Sequence, residues 1–306
     1  MERKRILLSG CGKMGFAHAS ALSKRGDVSL LFNSANPASA RRFAKIFGGR
    51  AVGSLEDGLL EADALVLATP PEDRIAPISL ARKLGKPVLS EKPLCSEKGE
   101  LGKLAKIVER GKVGFFLQIA ENWAYKRTVR LACELVRSGK IGELREISVV
   151  RGAKISSSGW REKYGALLEG GIHQIALISS FSGWAQPRKV SAEFGSERPE
   201  RSSSVSIGYG GDLKASLKYS WKQNMFGGTI VRGTLGRIFL DNWLLSATLF
   251  SKRGVGFFPL GFRDPYGIGA IHADFLSCIE GERAPFYNFK KARIDLETVF
   301  RAYELL

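Results

Sequence analysis

Through the first 120 residues, short apolar runs alternate with stretches whose apolar positions recur at helical spacing, the pattern of β-α-β units around a parallel sheet. Strands are predicted at Arg5–Ser9, Val28–Phe32, Ala64–Ala68, Pro87–Ser90 and Val113–Ile119, and helices at Met14–Lys24, Pro37–Phe47, 72–84 and 97–110. The Pro37–Phe47 helix has proline in its first turn, where no N–H is needed, and Gly48-Gly49 just past its end. A further helix, about 125–138, stops at Ser138-Gly139, and the period then changes to two. Leu213, Ala215, Leu217, Tyr219 and Trp221 alternate with Lys214, Ser216, Lys218, Ser220 and Lys222, which puts apolar and polar side chains on opposite faces of one strand. Runs at 145–153, 187–195, 203–210, 226–233, 236–241 and 245–250 extend this to one sheet of six or seven strands. Helices are expected at about 169–181, 268–280 and 290–305. The fold class is α/β: a doubly wound parallel sheet in residues 1–121, then an α+β domain in residues 122–306 with a large open, mainly antiparallel sheet.

Gly10-Cys11-Gly12-Lys13-Met14-Gly15 follows the first predicted strand and opens the first helix, the setting in which G-x-G-x-x-G binds a dinucleotide in a Rossmann domain. Gly10 allows the tight turn, Gly12 lets the backbone approach a pyrophosphate, and Gly15 lets the helix pack on the strand. Lys13 and Met14 start the helix whose N–H groups face the phosphates. About 20 residues on, the ribose-reading position holds Asn33, followed by Ser34, where an acidic residue would select NAD. A neutral amide does not repel a 2′-phosphate, Ser34 can donate to one, and Arg41 and Arg42 follow in the next helix. NADP is therefore expected in preference to NAD.

The chain has 306 residues, enough for about two domains. No apolar run reaches the roughly 18–20 residues of a membrane span. The basic start at Met1-Glu2-Arg3-Lys4-Arg5 leads into only three apolar residues, too few for a secretory signal, and the expectation is a cytoplasmic protein. Cys11, Cys95, Cys133 and Cys278 lie far apart with three histidines to partner them, so no disulfide framework and no metal site is expected. The 47 basic and 30 acidic residues give a net charge of +17, which attracts anions. The basic residues are scattered over several amphipathic stretches rather than gathered in a tail or stripe. No nucleic acid and no membrane partner is expected, and an anionic cofactor or substrate remains open.

The ordered segments GCGKMG at 10–15, ATPPEDR at 68–74, GKPVLSEKPL at 85–94, SGKIGEL at 138–144 and GALLEGGIHQI at 165–175 resemble the Gfo/Idh/MocA family, named for glucose-fructose oxidoreductase and inositol dehydrogenase. GTLGRIFLD at 233–241 and HADFLSCIEGERAP at 272–285 extend the resemblance along nearly the whole chain. It implies an NAD(P)-dependent oxidoreductase of a small sugar, polyol or related cyclic compound, to whose active site both domains contribute residues. The family's Glu-Lys-Pro lysine matches Lys92, its substrate-domain aspartate matches Glu169, one methylene longer, and its histidine matches His173. Glu91, Thr69, Pro70 and Pro71 fall at cofactor-side positions, and Asn122 and Tyr125 are weaker candidates for the substrate side. Spacing 169/173 places both side chains on one face of a regular helix, and Gly170 and Gly171 leave room beside a bound ring. Oxidising an alcohol requires a group that takes the hydroxyl proton, for which His173 is suited, while Lys92 can stabilise alkoxide character on the same oxygen. The alternative is a non-enzymatic NADP-binding regulator of the same fold, in which neither group would be required. The outer face of the second sheet would leave a large patch uncovered, and a homodimer or homotetramer through it is expected.

Overall fold

The computed structural model describes residues 3–110, 112–156, 163–260, 262 and 264–306, so Met1 and Glu2 of the basic start lie outside the described residues. The chain forms two compact units, Met1–Ala120 with Ile268–Ala292, and Glu121–Gly267 with Arg293–Leu306. The units are thus not consecutive halves. The sequence reading cuts once, at 121/122, and leaves residues 268–292 in the second part.

In the first unit, β1 (Lys4–Ser9), β2 (Val28–Asn33), β3 (Arg50–Ala51), β4 (Ala64–Leu67), β5 (Val88–Ser90) and β6 (Leu117–Ile119) form a sheet in the order β3-β2-β1-β4-β5-β6. Every neighbouring pair is parallel. Ala64, Leu65, Val66 and Leu67 are all fully buried, which is why β4 reads as an unbroken apolar run and not an alternating one. Helices α1 (Lys13–Leu22), α2 (Pro37–Phe47), α3 (Leu55–Glu61), α4 (Ile75–Lys83) and α5 (Lys98–Glu109) connect the strands, and α9 (Ile268–Ile279) packs beside α1. Two elements go beyond the sequence reading, the two-residue β3 and the seven-residue α3. Both are too short to show a period, although Ser54 caps α3 by accepting from Asp57 N at 3.0 Å. The helix predicted over 72–84 is divided into a 3₁₀ turn, Pro71–Asp73, and α4, at Arg74, whose side chain runs into the interior.

In the second unit, α6 (Asn122–Tyr125) and α7 (Arg127–Arg137) replace the single predicted helix, because Lys126 between them has an extended backbone. The eight-stranded sheet runs β14-β13-β12-β11-β7-β10-β9-β8, from β7 (Leu144–Gly152) to β14 (Gly254–Phe258), and β7 with β10 (Lys214–Ser220) is its parallel pair. The remaining strands are β8 (Lys189–Phe194), β9 (Ser202–Gly208), β11 (Met225–Gly233), β12 (Gly236–Asp241) and β13 (Ala247–Ser251). β14 exceeds the predicted number; its glycines and exposed Val255 and Phe257 give no alternation to read. One face buries Ile147, Val149, Val205, Ile207, Ala215, Leu217 and Val231, and α8 (Ile172–Ser182), a helix apolar on nearly every side, packs on it at β7 and β10. The other face carries Ser148, Ser204, Ser206 and Ser216 with Lys214 and Lys218. Toward β8 that face is polar, and toward β14 it exposes Phe239, Val255 and Phe257. The helix predicted over 169–181 begins as a π-turn, Leu167–Gly171, before α8.

Candidate active site

The glycine turn links β1 to α1. Gly10 has φ +105°, in the left-handed region that favours glycine, and a Cβ there would lie 2.6 Å from the Ala68 carbonyl carbon. A Cβ on Gly15 would lie 1.9 Å from Gly10 O, whereas a Cβ on Gly12 would meet nothing within 4 Å. Gly10 and Gly15 are therefore required by the protein's own packing, and Gly12 borders open space at the uncapped N-terminus of α1, where a pyrophosphate fits. Lys13 is exposed and Met14 half-buried beside it. Asn33 closes β2: its carbonyl accepts from Gly10 N at 3.0 Å and its Oδ1 from Ser9 Oγ at 3.2 Å. Burial pushes the Cys11 thiol up to about 11, while the Ser34 hydroxyl and the Arg42 charge pull it down. Arg41 and Arg42 are exposed in the second turn of α2, whose N-cap is Asn36.

The segment after β5 carries Lys92, and its backbone is held from several directions. Arg74, 1% exposed, donates to Thr69 O through Nε at 3.1 Å and through its terminal nitrogen at 2.7 Å, and also to the carbonyls of Glu91 and Pro93. One buried guanidinium thus ties the Thr69-Pro70-Pro71 turn to both residues flanking Lys92. Glu91 accepts from Lys92 N at 3.0 Å and from His18 Nε2 at 3.0 Å, and His18 Nδ1 lies 2.8 Å from His272 Nε2 on α9. Among the described residues, His272 Nδ1 is buried without a partner. The least costly arrangement has His272 donating to His18 and His18 donating to Glu91, which leaves a lone pair rather than an N–H stranded. Burial would raise the Glu91 carboxyl, but the His18 bond and the nearby Lys92 and Arg74 charges outweigh it and leave it below the usual range. Burial, with His18 and Arg25, holds His272 well below its ordinary value of 6.5. The sequence reading takes Glu91 as a cofactor contact; its two carboxylate oxygens are turned instead to His18 and the Lys92 amide. His18 and His272, 254 residues apart, carry no local signal that they meet.

In the second unit, Glu200 fixes the turn leading to α8 by accepting from Leu167 N at 2.8 Å and Tyr303 Oη at 2.8 Å. Burial raises both the Glu200 carboxyl and the Tyr303 hydroxyl. Gly170 leaves its space to Tyr219, since a Cβ would sit 2.1 Å from that hydroxyl, so it makes no room for a ligand ring. Because Glu169 lies in the π-turn and His173 in α8, the pair does not lie along one regular α-helical face. The carboxylate that meets His173 is Glu121, 1% exposed, at 2.6 Å from Nδ1. Trp123 stacks on the imidazole, with ring centres 5.6 Å apart and planes 13° apart. Neither Glu121 nor Trp123 was among the predicted site residues, although both flank Asn122. Asn122 itself donates to Tyr266 O at 2.8 Å, and Tyr125 is core, 1% exposed. A histidine whose Nδ1–H is held by a buried carboxylate presents Nε2 as a lone pair.

The glycine turn of the first unit, open at Gly12, has the form of a dinucleotide site, and the second unit holds a histidine oriented by a buried carboxylate. The chain belongs to the Gfo/Idh/MocA family: residues 4–118 match the family described as oxidoreductase, NAD-binding Rossmann fold, and residues 129–239 match the GFO/IDH/MocA C-terminal domain. An uncharacterized protein of Saccharomyces cerevisiae is 32% identical over 116 residues, 35% of this chain and 32% of that protein, so the chain matches about a third of that relative's length. The dTDP-3,4-didehydro-2,6-dideoxy-alpha-D-glucose 3-reductase of Saccharopolyspora spinosa is 29% identical over 78% of this chain and 75% of its own length. Among solved structures, a UDP-N-acetylglucosamine 3-dehydrogenase from Acidithiobacillus ferrooxidans superimposes with a TM-score of 0.87 at 19% identity, covering 100% of this chain and 98% of its own. A 3-ketoreductase from Actinomadura kijaniata in complex with NADP and TDP-benzene superimposes with a TM-score of 0.83 at 19% identity, covering 99% and 98%. At these identities the structures establish the fold.

Two outcomes follow from this geometry. Gly15→Ala is expected to lower the melting temperature markedly, by a steric cost of about 1–3 kcal/mol or more, while Gly12→Ala leaves it near wild type and weakens NAD(P) binding; calorimetry with cofactor titration separates them. His272 stays neutral when folded but takes up a proton near pH 6.5 when unfolded, so stability should fall as pH drops below that value. Melting curves between about pH 7 and 5 should slope less in His272→Gln, and an unchanged slope would count against this origin.

Proposed function

We propose that the protein is an NAD(P)-dependent dehydrogenase or reductase acting at the hydroxyl or keto carbon of a sugar, polyol or related cyclic compound. The observation that carries the reading is the 2.6 Å contact of His173 Nδ1 with buried Glu121, which directs the basic nitrogen away from the carboxylate. The nicotinamide cofactor, when bound, supplies the hydride acceptor or donor. His173 takes the hydroxyl proton at Nε2, and Glu121 steadies the imidazolium that results. Lys92 is assigned the role of the cation that favours alkoxide character on the substrate. The backbone grip of Arg74 and Glu91 supports this assignment, since a charge that stabilises a transition state has to be fixed beforehand. Glu169, buried beside the start of α8, accepts a second substrate hydroxyl. The reductase and dehydrogenase relatives, which are named for sugars, agree with this substrate class.

NADP is the preferred cofactor in this reading, on the strength of the neutral Asn33 beside the glycine turn, the following Ser34, and Arg41 and Arg42 exposed in α2. The protein is also taken to be cytoplasmic and a homodimer or homotetramer through the second sheet. The short serines of its outer face, which allow close approach of another sheet, support the latter, and four buried free cysteines support the former.

NADPH is expected to bind at least about tenfold more tightly than NADH, roughly 1.4 kcal/mol. Fluorescence titration measures this, and Asn33→Asp should shift the preference toward NAD; equal affinities would mean that Arg41 and Arg42 serve only solvent. In a panel of polyols, sugars and sugar derivatives followed at the nicotinamide absorbance, Lys92→Ala and His173→Ala should each lower turnover about 10²-fold or more with cofactor affinity nearly unchanged. Wild-type turnover in His173→Ala would remove it as the base.

A further inference from the structure

Beside His173 the second unit brings together two cations that form no ion pair with a carboxylate among the described residues. The Trp123 indole that stacks on the imidazole also carries the Arg151 guanidinium 4.4 Å from its centre and the Lys126 ammonium at 5.9 Å. Arg151 is shared with Trp243, 5.5 Å from that ring. Each cation spends one hydrogen bond on a backbone carbonyl: Lys126 Nζ donates to Trp243 O at 2.6 Å, and Arg151 donates to Asn242 O. Among the described residues neither has a carboxylate within ion-pair distance, although Lys126 is only 7% exposed. Burial, and then the Arg151 charge, pull Lys126 down to about 8 despite Asp241 and Asp264, and burial lowers Arg151 as well.

The loop that supplies this environment is held against its own preference. Leu244, 1% exposed, has φ 57°, a left-handed backbone that a leucine rarely adopts. Asp241 holds it there by accepting from Trp243 N at 2.8 Å and Leu245 N at 3.0 Å, and Thr128 donates to Leu244 O at 2.5 Å. Asp241 is thereby spent on backbone N–H groups and does not pair with Lys126. A cavity of about 330 Å³ opens here, lined by Arg151, Asn224, Phe226, Asn242 and Trp243, with Phe226 and Trp243 exposed. Arg151, in β7, lines this cavity, and Lys126, ahead of α7, is bonded to the strained loop behind it; two desolvated cations with donors to spare are a site awaiting negative charge.

We propose that Arg151 and Lys126 bind an oxyanion of the substrate, a phosphate or a carboxylate, and that Trp123 sets its distance from His173. The inference rests on His173 acting at the reacting carbon, and it makes the substrate an acidic derivative rather than a neutral polyol. Trp243 and Phe226 offer apolar faces to whatever the anion carries beyond the cavity.

Calorimetric titration tests this in protein saturated with NADP, which fills the phosphate site at the glycine turn. Glucose 6-phosphate and glucuronate represent the two anions, and glucose is the neutral control. At least one anion should bind at least about tenfold more tightly than glucose, and Arg151→Gln and Lys126→Gln should each remove most of that difference. Which anion wins tells phosphate from carboxylate. Lys214→Gln, on the outer face of the sheet, should leave the affinity unchanged, so an equal loss there would reduce the effect to the general charge of +17 and overturn the proposal. Glucose binding as tightly as both anions, no binding of either at about 10 mM, or full anion affinity in both variants would also overturn it. If Arg151→Gln fails to fold, Lys126→Gln decides alone. Because the readout is binding, an anion effect without turnover on any substrate upholds this site while refuting the dehydrogenase reading.

Discussion

A carboxylate taken out of water has to find donors, and Glu91, Glu121 and Glu200, each 5% exposed or less, find theirs in the segments that hold the candidate site residues. Glu91 reaches the Lys92 amide and His18, Glu121 reaches His173 and Trp123 N, and Glu200 reaches Leu167 N at the entrance to α8. Each converts the cost of burial into a fixed position for a neighbouring backbone or ring. Arg74 does the same with opposite sign, its guanidinium buried among carbonyls at the turn after β4 and the segment after β5.

The large pattern was legible in the sequence because it follows from periodicity. α2 lies at Pro37–Phe47 as read, since proline, an amphipathic stretch and two glycines mark both ends. β10 follows its alternation from Lys214 to Ser220. What the pattern missed has physical reasons. β3 has two residues and β14 is rich in glycine, so neither repeats long enough to register. The breaks at Arg74 and Lys126 arise from where these long side chains run, into carbonyl clusters and toward Trp243 O, and helical spacing says nothing about that. Tertiary anchoring overrode local propensity at both points.

The site divides along the same line. Gly10, Gly12 and Gly15 were legible because each answers a steric question posed within one turn, and the structure separates them into two that the protein needs and one that faces open space. His173 was legible through the family resemblance, but its partner was not. Spacing pointed to Glu169, four residues away, whereas the contact is made by Glu121, 52 residues away on the segment before α6. A π-turn between residues 167 and 171 is enough to spoil the four-residue rule, and a single glutamate before a short helix has no periodicity to reveal it. Long-range pairs of this kind, His18 with His272 among them, are products of topology.

The net charge of +17 has a local side that scattered basic residues conceal. Most arginines and lysines face water, where their charge is screened and individually weak. Arg151 and Lys126 differ because burial strips away that screening and because Asp241, the nearby acid that could have neutralised them, is turned to backbone N–H groups by the strained Leu244 loop. A protein selected only for stability would gain by letting Asp241 pair with Lys126. The unbalanced charge beside His173 therefore reads as a stability cost retained for binding, in the same unit as the ring proposed to act on the substrate.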